Sequence, residues 1–152
     1  METLLERARE ALSNSYAPYS DYQVGAALRT LDGTVYTGCN IENANYSNSL
    51  HAEEVALGKA ISDGHREFDR LAVTSLARDG VTPCGMCRQT LAEFCPEEFE
   101  IVCEGAGTDG DGNQADTEGD ETGDRDARPK IYHLGDLLPE TITREHLETH
   151  ND

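Results

Sequence analysis

Three candidate metal ligands in two separate segments place the strongest constraint on how this chain can fold. His51 stands two residues before Glu53, and Cys84 and Cys87 follow in a later segment. Cysteines at positions i and i+3 share one helix face, and a helix N-terminus favours the thiolate form. Imidazole and thiolate groups bind zinc, and three protein ligands leave a fourth tetrahedral position for water, as in catalytic sites. The fold must therefore bring the two segments together.

The apolar pattern predicts alternating helices and strands, which is typical of an α/β layered domain with one mixed sheet. Alternation over 22–28 and 34–39 predicts a β-hairpin, with a type I′ turn at Asp32-Gly33. Pro83 lacks an N–H and has its φ preset, so we expect it to open a helix that carries both Cys84 and Cys87. The other predicted elements are helices over 4–14 and 50–63, strands over 71–76, 99–103 and 130–134, and a weak C-terminal helix.

The charge balance restricts the partners of the chain. Thirty acidic residues against 12 basic ones give a net charge of −18. Such a charge repels a phosphate backbone, which argues against nucleic acid as a partner, and it favours a halophilic source. No stretch approaches the ~18 apolar residues of a membrane span, and the charged start is unlike a secretory signal. We therefore expect a cytoplasmic protein with no membrane partner.

The length predicts a single domain over residues 1–152. Residues 104–128 consist largely of Gly, Asp, Glu and Thr and contain no large apolar side chain. Such a segment buries too little apolar surface to offset the entropy of ordering, so we expect a disordered acidic insert. A calcium loop is disfavoured because the segment lacks flanking helices and the position-12 Glu of an EF-hand.

The Cys-x-x-Cys pair alone leaves two alternatives open, a redox pair or half of a structural zinc site. A structural site would need Cys39, Cys95 or Cys103 as its fourth ligand, and none of them has ligand-like spacing. Five cysteines in a chain without an export signal favour reduced thiols. We expect these three to be small buried hydrophobes.

Joined together, His-x-Glu and Pro-Cys-x-x-Cys form the established pattern of zinc nucleobase deaminases. Several further motifs resemble the short-chain cytidine deaminases, and the resemblance runs to about residue 103 and resumes over 131–139. These motifs are Tyr16-Ala17-Pro18-Tyr19-Ser20, Val24-Gly25-Ala26-Ala27-Leu28, Gly38-Cys39-Asn40-Ile41-Glu42-Asn43-Ala44 and Thr82-Pro83-Cys84-Gly85-Met86-Cys87-Arg88-Gln89.

The resemblance implies a fold, an activity and an assembly. The fold is a three-layer α-β-α sandwich around a mixed sheet of about five strands. The activity is zinc-dependent hydrolytic deamination of cytidine and 2′-deoxycytidine to uridine and 2′-deoxyuridine, with release of ammonia, in pyrimidine salvage. The assembly is a homotetramer, with a homodimer as the alternative.

The resemblance also assigns roles to individual residues. One zinc ion per subunit is bound by His51, Cys84 and Cys87, and Glu53 moves protons during catalysis. Asn40 and Glu42 hold the ribose hydroxyls, and both side chains project to one side of an extended segment. The other implied substrate contacts are Tyr22, for which core packing is an open alternative, and Ile41, Tyr46, Ala52 and Thr82.

Two departures from the family pattern concern the site. Short-chain members carry Cys as the first ligand and Arg three residues later, where this chain has His51 and Glu54. Two thiolates and a neutral imidazole leave a zinc centre uncharged, so no Arg is needed to offset it. The second departure is Ile142, which stands where short-chain members have an aromatic residue that reaches a neighbouring active site.

Two rival functions are kept. The first is the same chemistry on another aminonucleoside, such as an antibiotic, or on a nucleotide. The second is a non-catalytic zinc-stabilised binding module, which would have four protein ligands and release no ammonia.

Overall fold

The computed structural model describes residues 1–77, 80–105 and 128–148. A short 3₁₀ turn at Tyr46–Asn48 precedes the second helix. The elements are α1 (Leu4–Leu12), β1 (Val24–Thr30), β2 (Val35–Cys39), α2 (Ala52–Ser62), β3 (Phe68–Ser75), α3 (Gly85–Ala92), β4 (Glu100–Cys103), β5 (Lys130–His133), α4 (Leu134–Leu137) and α5 (Arg144–Glu148).

In the described residues, five strands form one sheet in the order β2-β1-β3-β4-β5. The pair β3 and β4 is parallel, and the other neighbouring strands are antiparallel. A parallel pair needs a crossover connection, and α3 lies within that connection. The crossover carries Cys84 and Cys87 past the end of β3, beside the central part of the sheet.

The two faces of the sheet carry different helices. On one face, Ala26 of β1 and Val73 of β3 pack with residues of α2 and α3 in the main core. On the other face, Ala27 and Ala72 pack against Ala8 of α1. Successive residues of a strand point to opposite faces, so this alternation separates three layers. The predicted three-layer sandwich around a mixed five-stranded sheet is confirmed.

The predicted type I′ turn between β1 and β2 is wrong. That turn needs positive φ at both central residues, but only Gly33 has it, at +92°. The Gly33 N–H donates to Thr30 O at 3.0 Å, and the Thr30 N–H donates to Thr34 O at 2.9 Å. This is the three-residue loop in which a left-handed glycine follows the turn. The Thr30 hydroxyl also donates to Asp32 within the loop.

The predicted helix starts shift by one or two residues. Helix α3 begins at Gly85 with Cys84 as its N-cap, so Pro83 lies just outside the helix. Helix α2 begins at Ala52 with His51 as its N-cap. Both shifts bear on the site, because a predicted ligand occupies each cap position.

Most of the predicted acidic insert, residues 106–127, lies outside the described residues. At its start, the Glu104 carboxylate accepts a hydrogen bond from Arg9 Nε of α1 at 2.9 Å and another from the Thr74 hydroxyl of β3. In the described part of the chain, no helix is long and apolar enough to cross a membrane.

The expectation for the other cysteines holds for two of the three. Cys95 and Cys103 are buried, and burial raises the pKa of each thiol to about 12. Cys39 is half-buried at the end of β2. Cys39, Cys95 and Cys103 lie outside the group of donor atoms that could hold a metal in the described residues.

Candidate active site

Helices α2 and α3 begin at the candidate metal centre. His51 and Cys84 are the N-caps of the two helices, and Cys87 is buried in the first turn of α3. Gly38 of β2 allows α2 to approach the sheet, since a Cβ at this position would lie 2.2 Å from Ala52 O. The positive ends of two helix dipoles therefore lie beside the same group of side chains.

The three predicted ligand atoms lie close together. His51 Nδ1 is 3.2 Å from Cys84 Sγ and 3.2 Å from Cys87 Sγ. All three donor atoms lie within 4.8 Å of one another. Tetrahedral zinc with Zn–S bonds of about 2.3 Å and Zn–N bonds of about 2.0–2.1 Å separates such donors by roughly 3.6 Å. Small side-chain shifts are therefore enough for the three residues to hold a zinc ion.

The charge around these donors also fits a cation. Burial raises the pKa of Glu53, and burial together with the Glu53 carboxylate raises the pKa of Cys87. Of the described residues that line the adjacent cavity, none is Lys or Arg. A divalent cation supplies the missing positive charge and favours the thiolate forms.

Glu53 lies beside the donor group in the first turn of α2. The residue is only 6% exposed, and its Oε2 atom lies 3.6 Å from Cys87 Sγ. Glu54, the next residue, accepts a hydrogen bond from the His51 backbone N–H at 3.2 Å and completes a capping box at the helix start. The two adjacent glutamates thus differ in surroundings, since Glu53 faces the cavity and Glu54 holds the backbone of a predicted ligand.

A cavity of about 330 Å³ opens beside the donor group. Its lining includes eight of the predicted site residues, and Cys87 lies buried behind it. The predicted residues in the lining are Tyr22, Asn40, Glu42, His51, Ala52, Glu53, Thr82 and Cys84. The structure therefore brings most of the predicted substrate contacts to one side of the candidate metal centre.

Asn40 has structural partners that the sequence did not reveal. Its Nδ2 atom donates to Tyr22 O at 2.7 Å, and its Oδ1 atom accepts from the Val24 N–H at 2.9 Å and from the Ser15 hydroxyl. Asn40 thus joins the end of β2 to the segment that leads into β1. It lines the cavity and also fixes part of the cavity wall.

Glu42 is held by the segment before β1. Its Oε1 atom accepts hydrogen bonds from the backbone N–H groups of Tyr19 at 3.0 Å and Ser20 at 3.1 Å. Its Oε2 atom accepts from the Ser20 hydroxyl at 2.6 Å. These bonds, the Ser20 hydroxyl above all, lower the pKa of Glu42. An ionised carboxylate therefore lies at the cavity wall.

Two predicted substrate contacts do not line the cavity. The side chain of Ile41 is 39% exposed. Its backbone N–H donates to Leu50 O at 2.9 Å, and the Leu50 N–H donates to Ile41 O at 2.8 Å. Tyr46 is 75% exposed and packs edge-on against the ring of Tyr19, with centroids 5.9 Å apart. In the described structure of this chain, neither side chain lines the cavity.

Six lining residues were missed from the sequence. Ser20 and Val24 could have been suspected from their places in the quoted motifs, but the other four residues lie in none of these motifs and reach the cavity through the fold. The missed residues are Ser20, Val24, Ser49, Leu50, Gly80 and Val81.

The class of protein follows from the fold and the site together. A mixed α/β sandwich with a three-donor His/Cys/Cys group, a buried carboxylate beside it and an adjoining cavity is typical of a zinc-dependent hydrolytic enzyme. The family model for the cytidine and deoxycytidylate deaminase zinc-binding region matches residues 1–103. The chain therefore belongs to this family, and the family resemblance and the zinc cofactor predicted from the sequence are confirmed.

Individual relatives agree with this assignment. A cytidine deaminase of Sporosarcina psychrophila is 50% identical over 95 residues, which cover 62% of this chain and 70% of the relative. The crystal structure of cytidine deaminase from Burkholderia pseudomallei superimposes with a TM-score of 0.74 at 36% identity and covers 91% of this chain and 96% of that one. A blasticidin-S deaminase of Bacillus cereus is 33% identical over 107 residues, which cover 65% of this chain and 76% of the relative.

Proposed function

We propose that this protein catalyses the zinc-dependent hydrolytic deamination of cytidine and 2′-deoxycytidine to uridine and 2′-deoxyuridine, with release of ammonia. One observation carries the proposal: the buried Glu53 carboxyl lies beside the His51, Cys84 and Cys87 donor atoms at the wall of a cavity. The reaction serves pyrimidine salvage.

His51, Cys84 and Cys87 would hold the metal at the cavity wall. A zinc ion held there would lower the pKa of a water molecule towards ~7 and so provide a nucleophile at neutral pH. His51 and Cys84 approach from the cavity side, and Cys87 approaches from the buried side. Three protein ligands leave room for that water, which a structural site with four ligands would not.

Glu53 performs the proton transfers. Burial raises its pKa and so brings it closer to the pH at which one carboxyl can both accept and return a proton. The carboxyl takes one proton from the attacking water and delivers it to the pyrimidine ring nitrogen. It then takes the proton of the new C4 hydroxyl and delivers it to the amine, which leaves as ammonia as the C4–N bond breaks and the carbonyl forms. The buried position keeps bulk water from competing for these protons.

The sugar side of the cavity favours a free nucleoside. The ionised Glu42 accepts hydrogen bonds, so it suits ribose hydroxyls, and Asn40 lies next to it in the cavity wall. A 5′-phosphate beside this carboxylate would be repelled, and none of the described lining residues is Lys or Arg. A cavity of about 330 Å³ is within the range of small-molecule sites. Ala52 and Thr82 complete the pyrimidine side through their backbone groups, with Tyr22 beside them.

Ammonia release from cytidine, measured with and without a zinc chelator, tests the proposal. We expect activity that the chelator abolishes and added zinc restores, with one zinc ion per subunit. CMP and a cytosine-containing oligonucleotide serve as competing substrates and should be deaminated poorly. Chelator-resistant activity, or turnover of CMP in preference to cytidine, would contradict the proposal.

A second substrate class is favoured by one specific observation, the similarity to a blasticidin-S deaminase. That enzyme's name refers to an aminonucleoside antibiotic, so the same assay should include blasticidin S. Preference for blasticidin S over cytidine would make the antibiotic the proposed substrate, while the zinc-dependent hydrolytic deamination would stay the same. The alternative of a non-catalytic binding module needs a fourth protein ligand, and the described residues bring only three donors together.

We propose a homotetramer, with a homodimer as the alternative, and several exposed apolar side chains beside the cavity support association with further copies of the chain. Tyr16, Ile41 and Leu50 lie in adjoining extended segments, and Tyr19 packs edge-on against Tyr46 nearby. All five side chains are exposed. Burial of this surface against another subunit would give Ile41 and Tyr46 a place at a shared active site. Sedimentation in high salt tests the assembly. The net charge of −18 favours a halophilic source, and we propose a cytoplasmic location.

The proposed domain arrangement is a single domain over 1–152 with a passive acidic insert at 104–128. The ends of the insert support this view, because Cys103 and Lys130 are paired residues of adjacent antiparallel strands. A short Gly/Ser connection can join such neighbours at small entropic cost. Replacing residues 106–127 in this way should leave activity intact, and loss of activity in a folded variant would show that the insert has a function.

A further inference from the structure

The side chain of Arg88 joins three parts of the molecule around Cys84. Its Nε atom donates to Pro83 O at 2.6 Å, and its Nη2 atom donates to the Thr82 hydroxyl at 3.0 Å. Its Nη1 atom donates to Leu137 O at 2.7 Å, at the end of α4. We propose that Arg88 is a positioning residue of the metal centre, which holds Cys84 in place by fixing the backbone on either side of it. This inference rests on the proposed metal site.

The position of Cys84 explains why such a support is needed. As the N-cap of α3, Cys84 has an extended backbone, with φ −65° and ψ 166°, so it lies outside the regular helix. Cys87 is buried within the helix, whereas Cys84 is exposed. Of the two cysteine ligands, Cys84 is therefore the less constrained by helical hydrogen bonding and by core packing.

Arg88 constrains the backbone around Cys84 through both its main-chain N–H and its side chain. Its backbone N–H donates to Cys84 O at 3.0 Å, next to the Nε bond to Pro83 O. Two consecutive carbonyl groups are therefore bound by one residue, and Thr82 is bound as well. The three residues 82–84 cannot move away from α3 without losing at least one of these bonds.

The opposite side of the guanidinium is anchored to the C-terminal segment. Besides the bond from Arg88 to Leu137 O, the neighbouring Gln89 donates to Ile142 O at 3.1 Å and accepts from the Thr141 hydroxyl at 2.8 Å. The planar guanidinium directs its donors in fixed directions, which a lysine ammonium cannot reproduce. Arginine is therefore the residue type suited to bridge the two segments.

Arg88→Gln and Arg88→Lys test the role, with Arg66→Gln as the matched control. Arg66 also donates to two backbone carbonyls, Ile61 O at 2.8 Å and His65 O at 2.9 Å, but both acceptors lie at the C-terminal end of α2, whereas the candidate ligand His51 caps its N-terminal end. The first measurement is the rate at which zinc passes from the purified protein to a chromogenic chelator. Groups that orient metal ligands typically affect affinity by 10–100-fold, so we expect release about 10-fold faster in Arg88→Gln.

Further readouts separate positioning from general stabilisation. The Arg88→Lys variant should resemble Arg88→Gln more than the wild type, and Arg66→Gln should release zinc at the wild-type rate. The rise in melting temperature on adding zinc should be smaller in both Arg88 variants. After substitution with Co²⁺, their visible absorption bands should shift, because these bands report ligand geometry.

The outcomes also distinguish this proposal from the proposed function. Wild-type zinc release and an equal loss of melting temperature with and without zinc would show that Arg88 only stabilises the fold. If Arg88→Gln does not fold, Thr82→Val removes one acceptor of the Arg88 side chain, and unchanged zinc release in it and in Arg88→Lys would overturn the proposal. Failure of the wild type to bind zinc, or binding that survives Cys84→Ser, would instead overturn the metal site itself.

Discussion

The carboxyl group of Glu53 lies in the first turn of α2, and its residue is only 6% exposed. If it carries both proton transfers, Glu53→Gln keeps the shape and burial of the side chain but cannot exchange protons. We expect kcat for cytidine to fall by about 10²–10⁴-fold, the usual contribution of acid/base catalysis. Steady-state kinetics and metal analysis should show that the variant still binds zinc.

Glu54→Gln is the control for this substitution. Glutamine can still accept the hydrogen bond from the His51 N–H, as it does in other capping boxes. Near-normal turnover by Glu53→Gln would refute the assigned role, and an equal loss in both variants would point to a disturbed helix start.

Asn40 offers a second prediction for a single side chain. In Asn40→Ala the Val24 N–H and the Tyr22 carbonyl lose their partner in a half-buried region. A buried polar group left without its partner costs about 1–3 kcal/mol, so the free energy of unfolding should fall by that amount. Urea denaturation measures it. Asn43→Ala, which removes an exposed local bond to the Asn45 N–H, should change stability by less than about 0.5 kcal/mol.

An unchanged stability of Asn40→Ala combined with a raised KM would mean that Asn40 serves only the substrate.

The sequence could not show the structural role of Asn40, because Ser15, Tyr22 and Val24 meet Asn40 only in the folded chain. The ligands and Glu53 could be predicted, since their donor chemistry is specific and each motif is short. Ile41 and Tyr46 illustrate the limit, because a motif does not show which side of a segment faces the cavity.

Helix α2 lies close to β2, and two glycines test how much the site depends on this approach. A Cβ at Gly38 would lie 2.2 Å from Ala52 O and 2.6 Å from Ala56 N. Gly38→Ala should therefore push the start of α2 away from the sheet and cost about 1–3 kcal/mol or more. The same movement displaces His51 and Glu53, so kcat should fall as well. Thermal unfolding and steady-state kinetics provide the two measurements.

Gly58 provides the opposite case within the same helix. It is exposed in the interior of α2, and a Cβ there would meet nothing within 4 Å. Gly58→Ala should stabilise the protein by about 0.5–1 kcal/mol and leave kcat unchanged. A similar response of the two variants would contradict the proposed role of the Gly38 contact.

The loop between β1 and β2 should give a pH-dependent stability. Hydrogen bonds from the Thr30 hydroxyl and the Thr34 N–H lower the pKa of Asp32 from its ordinary 3.8 to about 2. The stabilisation is therefore fully present above pH 3.8 and is lost as the pH falls towards 2. Wild type should be more stable than Asp32→Asn near neutral pH, and this difference should shrink below about pH 4.

Urea denaturation of both proteins from neutral pH to about pH 3 measures that difference. Asp136→Asn is the control, because it removes the same charge from an exposed position on α4. A difference between wild type and Asp32→Asn that stays constant over this range would rule out the hydrogen-bonded carboxylate as its source.

For the β1–β2 hairpin, the sequence predicted the position of the turn correctly but its type incorrectly. Asp32-Gly33 marks a turn in any reading, but the turn type depends on whether Asp32 also adopts positive φ. The side-chain bond from Thr30 instead holds Asp32 in the three-residue loop. Similarly, Pro83 correctly indicated a nearby helix start, but the helix begins two residues later, at Gly85, with Cys84 as its N-cap.

The net charge of −18 makes the whole molecule sensitive to ionic strength. Self-repulsion destabilises the compact state, and salt screens it within about 10 Å at 0.1 M. We expect the melting temperature to rise steadily from low to molar KCl. Sucrose, which stabilises folded proteins without screening charge, is the control. A melting temperature that does not change with KCl would contradict both the charge argument and the proposed halophilic source.

The alternation of helix and strand periodicities predicted an α/β layered domain with one mixed sheet, and the resemblance to the family implied the three layers. Strand order could not be read from periodicity, since the position of β3 between β1 and β4 depends on long-range pairing. The resemblance to the family, rather than periodicity, implied the three-layer arrangement around a mixed sheet of about five strands. The region of the insert lies mostly outside the described residues, so the prediction of disorder there remains a prediction.

The order of the elements along the chain has a consequence for biogenesis. All three ligands lie between His51 and Cys87, a stretch that contains α2, β3 and the start of α3, and the strands β1 and β2 precede it. Three of the five strands are therefore synthesised by the time the last ligand leaves the ribosome, and domains begin to fold from the N-terminal side. We expect the nascent chain to become able to capture its metal before β4 and β5 complete the sheet.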